Sequence, residues 1–205
     1  MPYGVAVQQE TDEISAAKTR LRTRLIESRR GRSEAAREAA RAANGAHLLA
    51  ALADVTCVAA YLPLPTEPLG LRLLDQLASS IRVLVPVVTE AAPLDWCEYP
   101  GPVRRGAWGI DEPVGPRLGP DTIAAADVVL VPALAVDPRG HRLGRGGGHY
   151  DRTLDLRARL LAGGSAGQLI GVIYDDELVP SVPFDGLDQP VSAVVRPTTG
   201  LRAVG

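Results

Sequence analysis

The chain has 205 residues and a mass of 21.6 kDa, with 46% hydrophobic and 22% charged residues, a mean hydropathy of +0.05 and a formal net charge of −2. These values suit a globular chain with a sizeable core and exclude a disordered chain, a collagen-like repeat and a coiled coil. No apolar run approaches the roughly 18 residues of a membrane span, and the opening MPYGVAVQQETDE lacks the basic and apolar regions of a secretory signal.

Ile14 to about Ala53 reads as helix, with Leu21 and Leu25 at helical spacing, Gly31 as punctuation and Ser33 opening a second stretch. Val55–Leu62 is a short apolar strand ended by prolines 63–68, Leu69–Ser79 a helix, and Ile81–Val88 a buried strand. Residues 91–120, rich in Pro and Gly, read as a surface loop or small hairpin. Asp127–Val136 is the strongest buried strand, followed by a glycine-rich loop and a helix from His149 to Leu161. Gln168–Tyr174 and Ser192–Val195 are the last strands, and residues 1–13 and 198–205 read as frayed ends. Continuous apolar strands alternating with helices predict one domain over residues 1–205. Its expected architecture is a three-layer α/β/α fold with a mainly parallel sheet and an N-terminal helical segment packed on it.

Cys57 and Cys97 have no CxxC spacing and no histidine at ligand distance, so a disulfide framework and a zinc site are both unsupported. A reducing, cytoplasmic setting is the expectation. Charge is unevenly spread: residues 18–41 carry Lys18 and eight arginines against three glutamates, on an otherwise acidic chain. Such a segment reads as an anion-facing element or as a solvated helix face. Lys18 is the sole lysine beside 21 arginines, and a compact ammonium is not interchangeable with a guanidinium.

Ligands of such sheets gather at the carboxyl ends of strands. The loop after the strongest strand holds Gly144, Gly146, Gly147 and Gly148, which let backbone N–H groups converge on a phosphate without Cβ clashes. The helix opening at His149 offers its positive end to the same anion, and Arg142 and Arg145 flank it. The loop is neither a P-loop, lacking Gly-Lys-Ser/Thr, nor the dinucleotide fingerprint, since His149 takes the last glycine's place. Asp151, in the first helical turn, reads as a partner of the helix dipole or as a Mg²⁺ ligand, with Asp188 as a second carboxylate.

The stretch VLVPALAVDPRGHRLGRGGGHYDRTL (129–154) resembles the signature of the 5-formyltetrahydrofolate cyclo-ligases, the 5,10-methenyltetrahydrofolate synthetases. The likeness runs from about residue 15 to 196, through the Lys18–Arg22 pair, Glu67 after YLPLPT, Trp108 in AWGIDEP and the segment 171–188. The resemblance implies an ATP- and Mg²⁺-dependent enzyme that closes 5-formyltetrahydrofolate to 5,10-methenyltetrahydrofolate and releases ADP and phosphate. By the same resemblance, Lys18, Arg22, Arg142 and the loop Gly144–His149 hold ATP phosphates. Arg145 then stabilises the transferring phosphoryl group, with Lys18 also catalytic, and Tyr150 lies near the adenine or the formyl group. Glu67 and Trp108 take the pterin, and Asp151 with Asp188 holds the metal. The expected partner is the folate, with or without a polyglutamate tail, on a monomer that engages no nucleic acid or membrane.

Several positions depart from the family pattern. His149 stands for the first of two tyrosines, Ala133 for a glycine, Val136 for a phenylalanine, Gly70 for a threonine, Leu187 for a histidine and Glu177 for a glutamine. Two competing readings follow. One is a diverged nucleotide- or folate-binding member of the same fold; the other is a nucleic-acid binder using the arginine-rich segment.

Overall fold

The computed structural model describes residues 3–90, 92–106, 111–164, 167–186 and 188–205, with side chains from residue 11 onward. Its centre is a seven-stranded sheet. The strands are β1 (Cys57–Ala59), β2 (Arg82–Val87), β3 (Asp95–Tyr99), β6 (Val128–Pro132), β9 (Gln168–Val172), β10 (Ala193–Arg196) and β11 (Gly200–Ala203). They lie in the order β11-β10-β9-β6-β1-β2-β3. The five inner strands are parallel, and the two edge strands β3 and β11 run antiparallel to their neighbours.

Period-two side-chain alternation sends each inner strand's residues to two cores. Val58, Val83, Val85, Val128 and Leu130 pack with Leu48 of helix α2 (Glu34–Ala51), with its C-cap residue Leu52, and with Leu73, Leu74 and Leu77 of α3 (Leu71–Ala78). On the other face Ala59, Leu84, Val129 and Val131 pack with Leu154 of α4 (His149–Leu160) and Ile123 of a short 3-10 turn at Pro120–Ala125. This is the expected three-layer α/β/α arrangement.

Helix α1 (Tyr3–Gly31) is separated from α2 by Ser33, whose hydroxyl accepts a bond from the Ala36 N–H at 3.2 Å and so starts α2 as an N-cap. The expected N-terminal helical segment packs on the sheet through α2, while α1 packs beyond it. Leu25, with Leu21 and Ile26, packs on Leu134, Ala135, Leu143 and Val182, beyond the carboxyl end of β6. Those residues belong to a small ribbon, β7 (Ala135–Val136) against β8 (Arg142–Leu143), and to the segment that follows β9. The single strand expected over 127–136 is therefore two: the chain breaks at Ala133 and Leu134, and β7 leaves the sheet to pair with β8. An unbroken apolar run carries no mark of such a turn.

Two other expectations need correction. Residues 91–120 hold the small hairpin β4 (Val103–Arg105) and β5 (Asp111–Pro113), but also β3, a full edge strand of the main sheet. Trp96 and Cys97 are completely buried there, which the surrounding prolines and glycines obscured. The expected frayed end at 198–205 contains β11, paired with β10 along four residues, with Leu201 packed on one core and Val204 on the other. Among the described residues no helix is long and apolar enough to cross a membrane.

The chain runs from β1 to β2 and β3 on one side of the sheet, and from β6 to β9 and β10 on the other. The carboxyl ends of β1 and β6 therefore flank a crevice at the topological switch point, where ligands of open parallel sheets bind. Asp137, just after β7, organises the far wall of that crevice. It is fully buried and accepts bonds from the N–H groups of Arg139 (2.9 Å), His141 (3.1 Å) and Val182 (3.2 Å). Burial alone would push its carboxyl up; the Val182 and His141 donors outweigh burial and hold it below the ordinary value. The His141 ring stacks on Phe184 at 3.7 Å, so the strap of residues 179–186 and 188–189 is seated against this loop.

Asp137→Ala should lower the unfolding free energy by about 3 kcal/mol, because three N–H groups, that of Val182 buried, lose a charged acceptor. Urea denaturation measures this. Because the folded pKa is depressed, the stabilisation is complete at neutral pH. It should fade in acid, as pH falls below the unfolded carboxylate value of about 3.9 toward the folded one, and D137A should lack that component.

Candidate active site

The glycine loop is built by β8 before it and α4 after it. Gly146 (φ 101°) and Gly148 (φ 66°) occupy the left-handed region, so the loop can turn back toward the cavity where an L side chain would be strained. A Cβ at Gly147 would come within 2.8 Å of the His149 ring, which makes the crowding as restrictive as the dihedrals. Gly148 starts α4 without a side-chain cap, leaving the helix's first-turn donors to whatever anion the cavity receives.

Cations converge on this loop from two directions. From α1, the Arg22 Nε donates to the Gly144 carbonyl at 2.9 Å, fixing the loop's entry. Lys18, one helical turn earlier, is buried, with its Nζ 2.8 Å from Asp185 Oδ2 and 2.6 Å from Asp188 Oδ2. Burial alone would pull this ammonium down, but the hydrogen bonds and charges of the two aspartates outweigh it, and its pKa lies above the ordinary lysine value. From β8, Arg142 is buried and its Nη2 lies 2.5 Å from Asp151 Oδ1, while its Nε has no partner among the described residues. The Gln189 N–H also donates to Asp151 Oδ1, at 3.3 Å, so Asp151 and Asp188 are held on adjoining parts of one wall.

His149 lies at the loop's end, with its Nδ1 3.2 Å from Arg152 Nη2. Burial first, and the Arg152 charge second, hold the imidazole below its ordinary value, so it is neutral at pH 7 and accepts from the guanidinium. Its neighbour Tyr150 directs a buried hydroxyl, without a partner among the described residues, into the space between the loop and Glu67. Burial, reinforced by Glu67, pushes that phenol far up and keeps it protonated.

Glu67 stands across the cavity on the loop after β1. Its backbone is tied to α2, where the Asn44 Nδ2 donates to the Pro68 carbonyl at 3.0 Å and Arg41 to the Pro65 carbonyl. The carboxylate is 5% exposed; Oε2 accepts the Leu64 N–H at 2.9 Å, and Oε1 lies 3.6 Å from Arg145 Nε and 4.0 Å from Arg29 Nη1. Burial pushes it above the ordinary carboxylate value, against the pull of the Leu64 N–H, Arg29 and Arg145.

Lys18, Arg22, Glu67, Arg142, Gly144 to Gly148 with Arg145, His149, Tyr150, Asp151 and Asp188 all line one cavity of about 1050 Å³. Trp108, the other expected pterin contact, lies outside the described residues. Sequence reasoning passed over Arg29, Tyr61, Arg152 and Asp185, which line the same space. Arg29 was hidden in the arginine run of α1; its partner Glu177 is 148 residues away, so no spacing could link them. The basic segment as a whole is not an open anion surface: Arg32 pairs with Asp176, Arg37 with Glu34, and Arg41 with Glu34 and Glu38.

A parallel α/β sheet with a glycine loop, a helix N-terminus and clustered cations facing a buried carboxylate across one crevice is an arrangement able to receive an anion on one wall. The 5-formyltetrahydrofolate cyclo-ligase family matches residues 14–197, and the chain belongs to that family of enzymes. It is 40% identical over 195 residues to the 5-formyltetrahydrofolate cyclo-ligase of Mycolicibacterium smegmatis, covering 92% of this chain and 97% of that one. It superposes on the solution structure of Aquifex aeolicus 5,10-methenyltetrahydrofolate synthetase with a TM-score of 0.68 at 29% identity, over 91% and 92% of the two chains. A Mycoplasma pneumoniae 5,10-methenyltetrahydrofolate synthetase shares the fold, with a TM-score of 0.66 at 20% identity over 86% of this chain and 96% of that one.

The loop's backbone makes a direct prediction. Gly146→Ala should weaken binding of tripolyphosphate about tenfold, the equivalent of roughly 1–2 kcal/mol of left-handed strain. Gly163→Ala, at a similar φ of 92° in open space beyond α4, should leave that affinity unchanged. Isothermal calorimetry on both variants separates loop geometry from general backbone strain.

Proposed function

We propose that the protein converts 5-formyltetrahydrofolate to 5,10-methenyltetrahydrofolate at the expense of ATP. The observation that carries this reading is one cavity with two unlike walls, an anion-binding loop and a buried carboxylate, in a chain of the cyclo-ligase family. ATP lies with its phosphates on the Gly144–Gly148 backbone, the N-terminus of α4 and the cations Lys18, Arg22 and Arg142. The folate lies across from it, with its pterin donors on Glu67. The γ-phosphoryl group passes from ATP to the N5-formyl oxygen, leaving ADP and an imino-phosphate. N10 then attacks the formyl carbon and the ring closes; the C–O bond to phosphate breaks, and the proton lost from N10 leaves on the departing phosphate.

No step requires a protein nucleophile, so the residues act by position and charge. Arg145, 41% exposed by its side chain and resting 3.6 Å from Glu67, is free to turn onto the transferring phosphoryl group. Tyr150, protonated and unpartnered, offers its hydroxyl between the two ligands. Mg²⁺ fits the donor set, since Asp151 and Asp188 provide hard carboxylate oxygens on one wall. Among the described residues no group of three or more Asp, Glu, His or Cys could hold a metal by itself, so phosphate oxygens would complete the shell. When bound, the ion neutralises phosphate charge. We further read the protein as a monomer of the cytoplasm, a reducing compartment in which thiols such as the buried Cys57 and Cys97 stay free.

The test is near-ultraviolet absorbance of the protein with 5-formyltetrahydrofolate, MgATP and buffer. The methenyl chromophore should appear only in the complete mixture. Its absence, with ATP still bound, would instead favour a diverged member acting on another formylated or amide-like substrate. In the working assay Arg145→Ala should lower kcat about 100-fold, the scale of a lost transition-state donor, with an unchanged melting temperature. Lys18→Arg keeps the charge but not the compact ammonium between Asp185 and Asp188, and should raise the KM for ATP about tenfold.

A further inference from the structure

Among the charged residues of α1 whose side chains are described, Arg29 is the least exposed, at 1%. A guanidinium has five N–H donors in one plane, and burial demands acceptors for them. Nε and Nη2 donate to the two Glu177 oxygens at 2.7 Å each, and Nη2 also donates to the Ala133 carbonyl at 2.6 Å. Glu177 is itself held by the Tyr174 N–H at 2.9 Å. The remaining nitrogen, Nη1, is the one turned toward the cavity, 4.0 Å from Glu67 Oε1.

Glu67 has a second cation, Arg145, but the two arginines differ in kind. Arg145 is 41% exposed by its side chain on the glycine loop, whereas Arg29 is 2% exposed and anchored at three points. When Arg145 moves to a phosphate, Arg29 is the fixed positive charge left opposite Glu67. We propose that Arg29 is a positioning residue for the folate: clamped by Glu177 and the Ala133 carbonyl, it holds Glu67 as an anion aimed into the cavity. The proposal rests on the reading that Glu67 receives the pterin. The pyrimidine ring of a pterin presents a ring N–H beside an exocyclic amine, two donors side by side. A carboxylate accepts both, whereas a protonated carboxyl loses one acceptor and adds a donor.

The charged groups that face Glu67 are Arg29 from α1, Arg41 from α2 (on its backbone carbonyl) and Arg145 from the loop. The phenols of Tyr61 and Tyr150 face it from the segment after β1 and from α4, and Glu177 acts on it through Arg29. Both phenols stay protonated, so Glu67 is the group whose ionisation Arg29 governs over the working pH range.

The experiment compares wild type, Arg29→Lys and Arg29→Met. For the Met variant the KM for 5-formyltetrahydrofolate should rise at least about tenfold near pH 6 and return to within about threefold of wild type near pH 9, where Glu67 ionises unaided. Saturated kcat and the KM for ATP should change less than about threefold, and Arg29→Lys, which keeps the charge, should restore a flat pH profile. If Met orphans Glu177 and unfolds the chain, the double variant Arg29→Met with Glu177→Leu removes both buried charges together and carries the same comparison. A KM increase equal at every pH, or a fall in kcat with the folate KM unchanged, would overturn the proposal. Carboxyl ¹³C NMR of ligand-free protein, with Glu67 assigned by loss of its signal in Glu67→Gln, reads the ionisation directly. Its midpoint should move up by at least about one pH unit when the Arg29 charge is removed. An unmoved midpoint sinks the role of Arg29 even if folate is turned over. A moved midpoint without folate turnover leaves Arg29 governing Glu67 and removes the cyclo-ligase reading instead.

Discussion

Charge at the carboxyl edge of the sheet has to be neutralised by partners brought from elsewhere in the chain, and α1 brings most of them. Three of its basic residues descend one face of the helix: Lys18 onto Asp185 and Asp188, Arg22 onto the Gly144 carbonyl, Arg29 onto Glu177 and beside Glu67. Their spacing of four and then seven residues puts them on one stripe. Each contact joins α1 to a different wall of the cavity. The apolar side of the same helix, through Leu25, rests on the β7–β8 ribbon. Without α1 the carboxylates of Asp185, Asp188 and Glu177 would lose their lysine or arginine partner.

The cavity's two halves differ in how firmly they are held. Glu67 sits in a frame of buried bonds from α1, α2 and its own loop, while the glycine loop offers backbone donors and an exposed Arg145. That division suits a reaction in which one ligand is oriented and another gives up a phosphoryl group. The same carboxylates on the strap that grip Lys18 stand beside Asp151, which is gripped by Arg142. Lys18, Arg29 and Arg142 are thus each paired with a carboxylate, while Arg22 is held by a backbone carbonyl, so the site's cations have partners already oriented.

Much of the site was legible because its parts are local. Gly144 to Gly148, Arg142, Arg145, His149, Tyr150 and Asp151 lie within ten consecutive positions, between a strand and a helix that announce themselves by composition. Lys18 and Arg22 form an i, i+4 pair. Asp188 was reached as a second carboxylate after the last long strand, whereas Glu67 was reached only through resemblance, since a lone carboxylate in a proline-rich loop carries no local mark. Arg29 was read as one more arginine in a basic run. The edge strands β3 and β11 were missed for a related reason: short strands among prolines, glycines and polar residues are defined by the neighbour they pair with.

The sequence by itself determined the layer architecture, through apolar runs of strand length alternating with helices, and the anion-binding loop, through glycines and arginines at close spacing. Both are local patterns, and backbone sterics and side-chain period act locally. Tertiary structure alone decided that α1 crosses the carboxyl ends instead of covering a sheet face, and that the apolar run 128–136 breaks into two strands. It alone placed Arg29 between Glu177 and Glu67. Those outcomes depend on which buried charges find one another across more than a hundred residues of chain, and that pairing is set by the assembled fold.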